Sequence, residues 1–93
     1  MPKYLIERDV PGAGDLSDRD LKAMSINSTK VLDELGPDIQ WQESFVTDDK
    51  IHCVYIARDE DIIREHAKRG EIPITNIFKL STMIDPTTAE NKG

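Results

Sequence analysis

The spacing of apolar positions along this chain switches between a period near two and a period near 3.6, and each switch marks an element. Lys3 to Val10 carries Tyr4, Leu5, Ile6 and Val10 around Glu7, Arg8 and Asp9, and reads as a strand. Pro11-Gly12-Ala13-Gly14 ends it as a flexible loop. Ser17, with Asp20 three residues on, reads as a helix N-cap close to the capping-box pattern. Leu21, Met24, Ser28, Val31, Leu32 and Leu35 follow at helical spacing until Gly36-Pro37 stops the helix. Gln40 to Thr47 returns to a strand pattern, Asp48-Asp49 makes a tight turn, and Ile51 to Ala57 forms the next strand. Asp59 caps a second helix whose stripe is Ile62, Ile63, His66 and Ala67, closed by Gly70. Pro73 marks a connection, and Asn76 to Ile84 reads as the last strand, ended by Asp85-Pro86.

The predicted order is β-α-β-β-α-β, an α+β ferredoxin-like arrangement. It implies a four-stranded antiparallel sheet with two helices on one face, formed by residues 1–85, and a loose polar tail over 86–93. Several strands carry apolar residues on both parities: Tyr4 and Leu5, Phe45 and Val46, Tyr55 and Ile56, Ile77 and Phe78. A sheet with one wet face should alternate more cleanly. The expectation is therefore that the open face is also covered, most simply by a second copy in a two-fold homodimer.

Composition narrows the function classes. The 93 residues are 38% hydrophobic and 32% charged, with a formal net charge of −6. Phosphate backbones are bound by basic surfaces, so nucleic acid is an unexpected partner. No segment approaches the ~20 apolar residues of a membrane helix. Charge near the N-terminus stands where a signal peptide needs an apolar run, so a cytoplasmic location is expected. The single cysteine excludes an intrachain disulfide, and no spaced Cys/His zinc signature is present. No Ser-His-Asp order or nucleophile elbow is recognisable, and a non-enzymatic role is expected.

Nearly all the remaining chemistry lies between Trp41 and Arg69: Glu43, His52, Cys53 and His66, including both histidines. His52 and Cys53 are strand neighbours and must face opposite ways. A two-residue Asp48-Asp49 turn pairs Val46 with Ile51 and Ser44 with Cys53. One face then holds Trp41, Glu43, Phe45, His52, Val54 and Ile56; being the more apolar, it is expected to meet the helices. Gln42, Ser44, Val46, Ile51, Cys53 and Tyr55 would line the open face. A three-residue turn would instead bring Glu43 and Phe45 beside Cys53 and Tyr55. His66 lies one turn beyond Ile62 and Ile63, toward the sheet edge. Glu7 and Asp9 share one face of the first strand, where they either bind a cation or form a solvated edge. Cys53 and His52 are more often plain packing or surface residues than ligands, and His66 suits a place at the edge of the core as well as it suits a ligand role. Thiol, imidazole and carboxylate together favour nickel, copper or zinc over magnesium or calcium. A rival reading is a pocket between sheet and helices, lined by Tyr55, Cys53, His66 and Glu43, in a small-molecule binder or a small oxygenase or isomerase.

Five stretches also resemble a known family: Tyr4-Leu5-Ile6-Glu7-Arg8, Trp41-Gln42-Glu43-Ser44-Phe45-Val46, Cys53-Val54-Tyr55-Ile56-Ala57, Ile63-Arg64-Glu65-His66-Ala67, and Gly70 with Pro73. It is a family of small bacterial nickel-binding, ferredoxin-like proteins long catalogued as a domain of unknown function, and the resemblance runs from about Tyr4 to Asp85. It implies a homodimer that holds nickel and contributes to nickel tolerance; another divalent transition metal is the alternative that the ligand types leave open. The positions with ligand chemistry that match are Glu7, Glu43, Cys53 and His66. Tyr55, His52, Ser44 and Asp9 are the expected pocket or supporting residues. Parity makes one intrachain site using all of them improbable; two partial sites, or one completed across a dimer, are expected instead.

Overall fold

The computed structural model describes residues 1–90. Four strands and two helices follow in the order β1 Lys3–Asp9, α1 Asp18–Leu35, β2 Ile39–Val46, β3 Lys50–Ala57, α2 Glu60–Gly70 and β4 Asn76–Lys79. The sheet is antiparallel with spatial order β2-β3-β1-β4, which is the ferredoxin-like topology. Both helices cover one face, and the core of Ile6, Tyr55, Ile63 and their neighbours lies between them and the sheet.

Local chemistry explains the boundaries. Ser17 and Asp20 form a full capping box: the Ser17 hydroxyl accepts from the Asp20 backbone N–H, and the Asp20 carboxylate accepts from the Ser17 N–H. Gly36 takes φ +82, which ends α1. Asp59 accepts from the Ile62 N–H to start α2. Gly70 is the last helical residue, and the left-handed residue that ends α2 is Glu71 at φ 53. Gly70 is instead a position of close approach: a Cβ there would meet Ile72 Cδ1 at 2.9 Å and push the end of that side chain aside.

Four sequence expectations need correction. The Pro11–Gly14 loop is pinned, because Gly14 N donates to Asp48 O at 3.0 Å and Gly12 N to the Asp49 carboxylate at 3.0 Å. Ala13 is buried there in a short 3-10 turn, Ala13–Asp15. The last strand stops at Lys79 rather than Ile84, and Met83 and Ile84 are exposed. Its partner β1 begins at Lys3, whose carbonyl accepts from Leu80 N at 2.9 Å, and Pro2 O is already bonded to Ala57 N. Beyond Leu80 no strand remains to pair with. Pro86–Glu90, expected to be part of a loose tail, forms an exposed 3-10 turn held by Asp85; residues 91–93 lie outside the described residues.

The fourth correction concerns the faces of the sheet. The two-residue turn is present, with Thr47 N donating to Lys50 O at 2.9 Å, and the register is the expected one: Val46 opposite Ile51, Ser44 opposite Cys53. The face toward the helices is the reverse of the expected one. Ile51, Cys53, Tyr55 and Ala57 are buried under the helices, in line with Tyr4, Ile6 and Arg8 of β1. The opposite parity contains Glu7, Glu43 and His52, whose burial under helices would strand charged and polar groups away from water. A bulge between Trp41 and Glu43 inserts Gln42, so Trp41 pairs with Tyr55 on the helix side while Glu43 and Phe45 stay on the open side.

Candidate functional site

Beneath the helices lies a buried polar cluster. Arg8, opposite Ile51 and on the parity of Tyr4 and Ile6, is 2% exposed. Its Nη1 donates to Pro73 O at 2.8 Å, its Nη2 to the Tyr55 hydroxyl at 3.4 Å, and its Nε approaches Cys53 Sγ at 3.5 Å. Burial pushes the Tyr55 phenol up, opposed by the Arg8 charge. His66 is fully buried, with its ring tilted against Tyr55 at a centroid distance of 5.5 Å. Its Nε2 is 3.1 Å from Ser28 Oγ and 3.3 Å from Ser28 O, while its Nδ1 has no hydrogen-bond partner. Burial lowers the His66 pKa, opposed by the Ser28 carbonyl and reinforced by Arg8, so the neutral imidazole is favoured. The expectation that His66 looks to the sheet edge is replaced by a core position between α1 and β3.

A cavity of about 350 Å³ opens between α1 and this face of the sheet. Arg8, Cys53 and Tyr55 line it from the strands, Met24 and Ser28 from α1, and Trp41 from β2. Ser44, on the same face, accepts from Trp41 Nε1 at 2.9 Å and also reaches the cavity.

The open face carries different chemistry. Glu7 lies opposite His52 on the two central strands, with Glu7 Oε2 3.7 Å from His52 Nε2. The other Glu7 oxygen accepts from Asn76 Nδ2 at 2.7 Å. Lys50 sits next to this pair, 3.9 Å from Glu7 Oε2 and in an ion pair with Asp9. That ion pair holds the Asp9 carboxyl below its usual range. Around these groups lie half-buried Leu5, Val54 and Ile56 and exposed Phe45 and Phe78. Glu43 projects from β2 beside them, opposite Val54.

The eight residues singled out from the sequence are thus divided between two sides of the sheet. Cys53, His66, Tyr55 and Ser44 lie on the helix side; Glu7, Glu43, His52 and Asp9 lie on the open side. His52 and Cys53 do face opposite ways. Among the described residues, no group of three or more His, Cys, Asp or Glu side chains converges to hold a metal ion. The Arg8 guanidinium beside Cys53 adds a positive charge where a cation would have to sit. Arg8 and Ser28 were missed as site residues. The available signals were the shared parity of Arg8 with Tyr4 and Ile6, and the place of Ser28 on the apolar stripe of α1.

With this geometry in hand, comparison with known proteins is informative. The family described as nickel responsive protein SCO4226-like matches residues 4–80. The chain belongs to that family. The crystal structure of SCO4226 from Streptomyces coelicolor A3(2) superposes with a TM-score of 0.74 at 9% identity, covering 88% of this chain and 99% of that one. At that identity the likeness speaks for the fold. Among curated proteins no match was found. No helix among the described residues is long and apolar enough to cross a membrane.

Proposed function

We propose that this family member is a nickel-binding homodimer, with the uncovered sheet face as both its interface and its metal-binding surface. The observation that carries the reading is the Glu7–His52 pair, 3.7 Å apart on the central strands. One carboxylate and one imidazole make half of a ligand set suited to nickel. Two copies packed face to face would bring two of each. The expected ligands are therefore Glu7 and His52, with Glu43 adding negative charge on the same face and Asp9 neutralising the neighbouring Lys50 through their ion pair. Asn76 would hold the Glu7 carboxylate in place through its hydrogen bond, as supporting groups do for metal ligands. Nickel bound there would be stored, consistent with a role in nickel sequestration or tolerance. Cys53 and His66 are assigned to the buried cluster on the other side and not to the metal.

The apolar surround supports the same interface. Phe45 is 53% and Phe78 49% exposed at opposite edges of this face, with Leu5 and Val54 between them. Contiguous exposed apolar residues ringed by polar ones are characteristic of association surfaces.

Isothermal titration with nickel chloride tests the assignment. Wild-type protein and His66→Asn should bind nickel alike, whereas His52→Ala should bind about 10- to 100-fold more weakly, as loss of a ligand or its support does. Binding should also weaken between pH 7.5 and pH 5, because an imidazole must be deprotonated to ligate. Unchanged binding by His52→Ala, or loss of binding only in His66→Asn, would place the metal elsewhere.

A further inference from the structure

The cavity under α1 contains a charge that the nickel reading leaves unexplained. Arg8 is buried to 2% exposure, and among the described residues no carboxylate forms an ion pair with it. A guanidinium offers five N–H donors. Three of them meet Pro73 O, the Tyr55 hydroxyl and Cys53 Sγ, which leaves two without a protein acceptor. A buried charge without a counter-charge is costly, and the fold retains this one at the wall of a cavity of about 350 Å³. That volume falls within the range of small-ligand sites, roughly 300–1,000 Å³.

We propose that this cavity binds a small organic carboxylate, whose anionic group pairs with Arg8 and whose apolar body lies between Trp41, Met24 and Ile72. The carboxylate supplies the missing counter-charge and accepts the two free N–H groups, in the forked geometry that guanidinium groups favour. The Tyr55 hydroxyl and Ser28 provide further polar contacts near the same end. The remainder of the lining selects for an aromatic or branched hydrocarbon over a bare inorganic anion. Glu71, also on the lining, is exposed in the chain that follows α2, where water screens it.

Phenylacetate and its neutral counterpart phenylacetamide are suitable probes, titrated against metal-free full-length protein. Phenylacetate should bind about 10- to 100-fold more tightly than the amide, the range expected for a hydrogen-bonded charge. Sodium phosphate at the same ionic strength should not compete. Arg8→Met should abolish the preference for the acid. Because Arg8→Met removes buried hydrogen bonds, Met24→Trp serves as the second variant: Met24 is 39% exposed on α1 and lines the cavity, so a larger side chain there takes up ligand space while Arg8 is kept. It should keep the wild-type melting temperature and lose phenylacetate binding. Equal affinity for acid and amide, or undiminished binding by Met24→Trp, would overturn the proposal. So would thiolate absorbance at neutral pH that disappears in Cys53→Ser, because Cys53 would then be the counter-ion of Arg8. None of these readouts depends on nickel.

Discussion

Replacing His66 by alanine should lower the unfolding free energy by about 2–4 kcal/mol, the range for a large-to-small change in a packed core combined with a lost buried hydrogen bond. The imidazole is completely buried, packs on Tyr55 and occupies Ser28 from the facing helix. Alanine would leave a void between α1 and β3 and an unpaired Ser28 hydroxyl. His66 also makes stability depend on pH in a definite direction. Burial lowers its folded-state pKa below the ordinary value of 6.5. Between the folded and unfolded values the unfolded chain binds more protons, so stability rises with pH in that window. Above pH 6.5 both states are neutral and the penalty vanishes. As pH falls through 6.5, stability should decline by up to about 1.4 kcal/mol per unit from this residue, until the folded-state pKa is reached. Urea unfolding of the wild type and His66→Gln at pH 7.5, 6.5 and 5.5 measures the difference. The glutamine variant should be less stable at pH 7.5 and show a shallower decline on acidification. Parallel pH profiles for the two proteins would show that His66 titrates alike in both states.

Val54→Asp should dissociate the proposed homodimer. Val54 is half-buried on the central strand β3, on the open face between Leu5 and Glu43. Its side chain points away from the helices, so a carboxylate there leaves the monomer core intact. In a face-to-face dimer the change places two like charges in the dry part of the interface. Desolvation costs several kcal/mol per buried ion, which corresponds to dimer association weakened by about a thousandfold or more. Sedimentation equilibrium at micromolar concentration should show a wild-type dimer and a Val54→Asp monomer with unchanged circular dichroism. A wild-type monomer, or a Val54→Asp dimer, would exclude this face as the contact.

The chain shows where pattern reading succeeds and where tertiary context decides. Caps and turns were legible because they are local: Ser17 with Asp20, Asp59, and Asp48-Asp49 each act within a few residues. The β2–β3 register followed from the turn length, and with it the separation of His52 from Cys53. The buried face is not legible from the apolar content of the β2–β3 hairpin alone, which favours the wrong side. The choice is made across strands, where Tyr55, Cys53 and Ile51 line up with Tyr4, Ile6 and Arg8. The Gln42 bulge, which rotates Trp41 to the helix side, left no mark in the alternation. The end of β4 depended on where its partner β1 begins, a long-range fact. Arg8 read as a polar interruption of a strand, since no local pattern distinguishes a buried arginine from a solvated one. The division of the candidate ligands between two sides of the sheet follows from these same facts. It takes Cys53 and His66 out of the metal proposal, keeps Glu7 in it, and raises His52 from a supporting residue to a ligand.

Native mass spectrometry of protein equilibrated with limiting nickel chloride tests the central claim most directly, because it weighs chains and metal together. The wild type should appear as two chains carrying one nickel ion, held between the two Glu7–His52 pairs, and His52→Ala as two chains without metal. Nickel carried by single wild-type chains, or an equal nickel load on His52→Ala, would contradict a metal site shared across the sheet-face dimer.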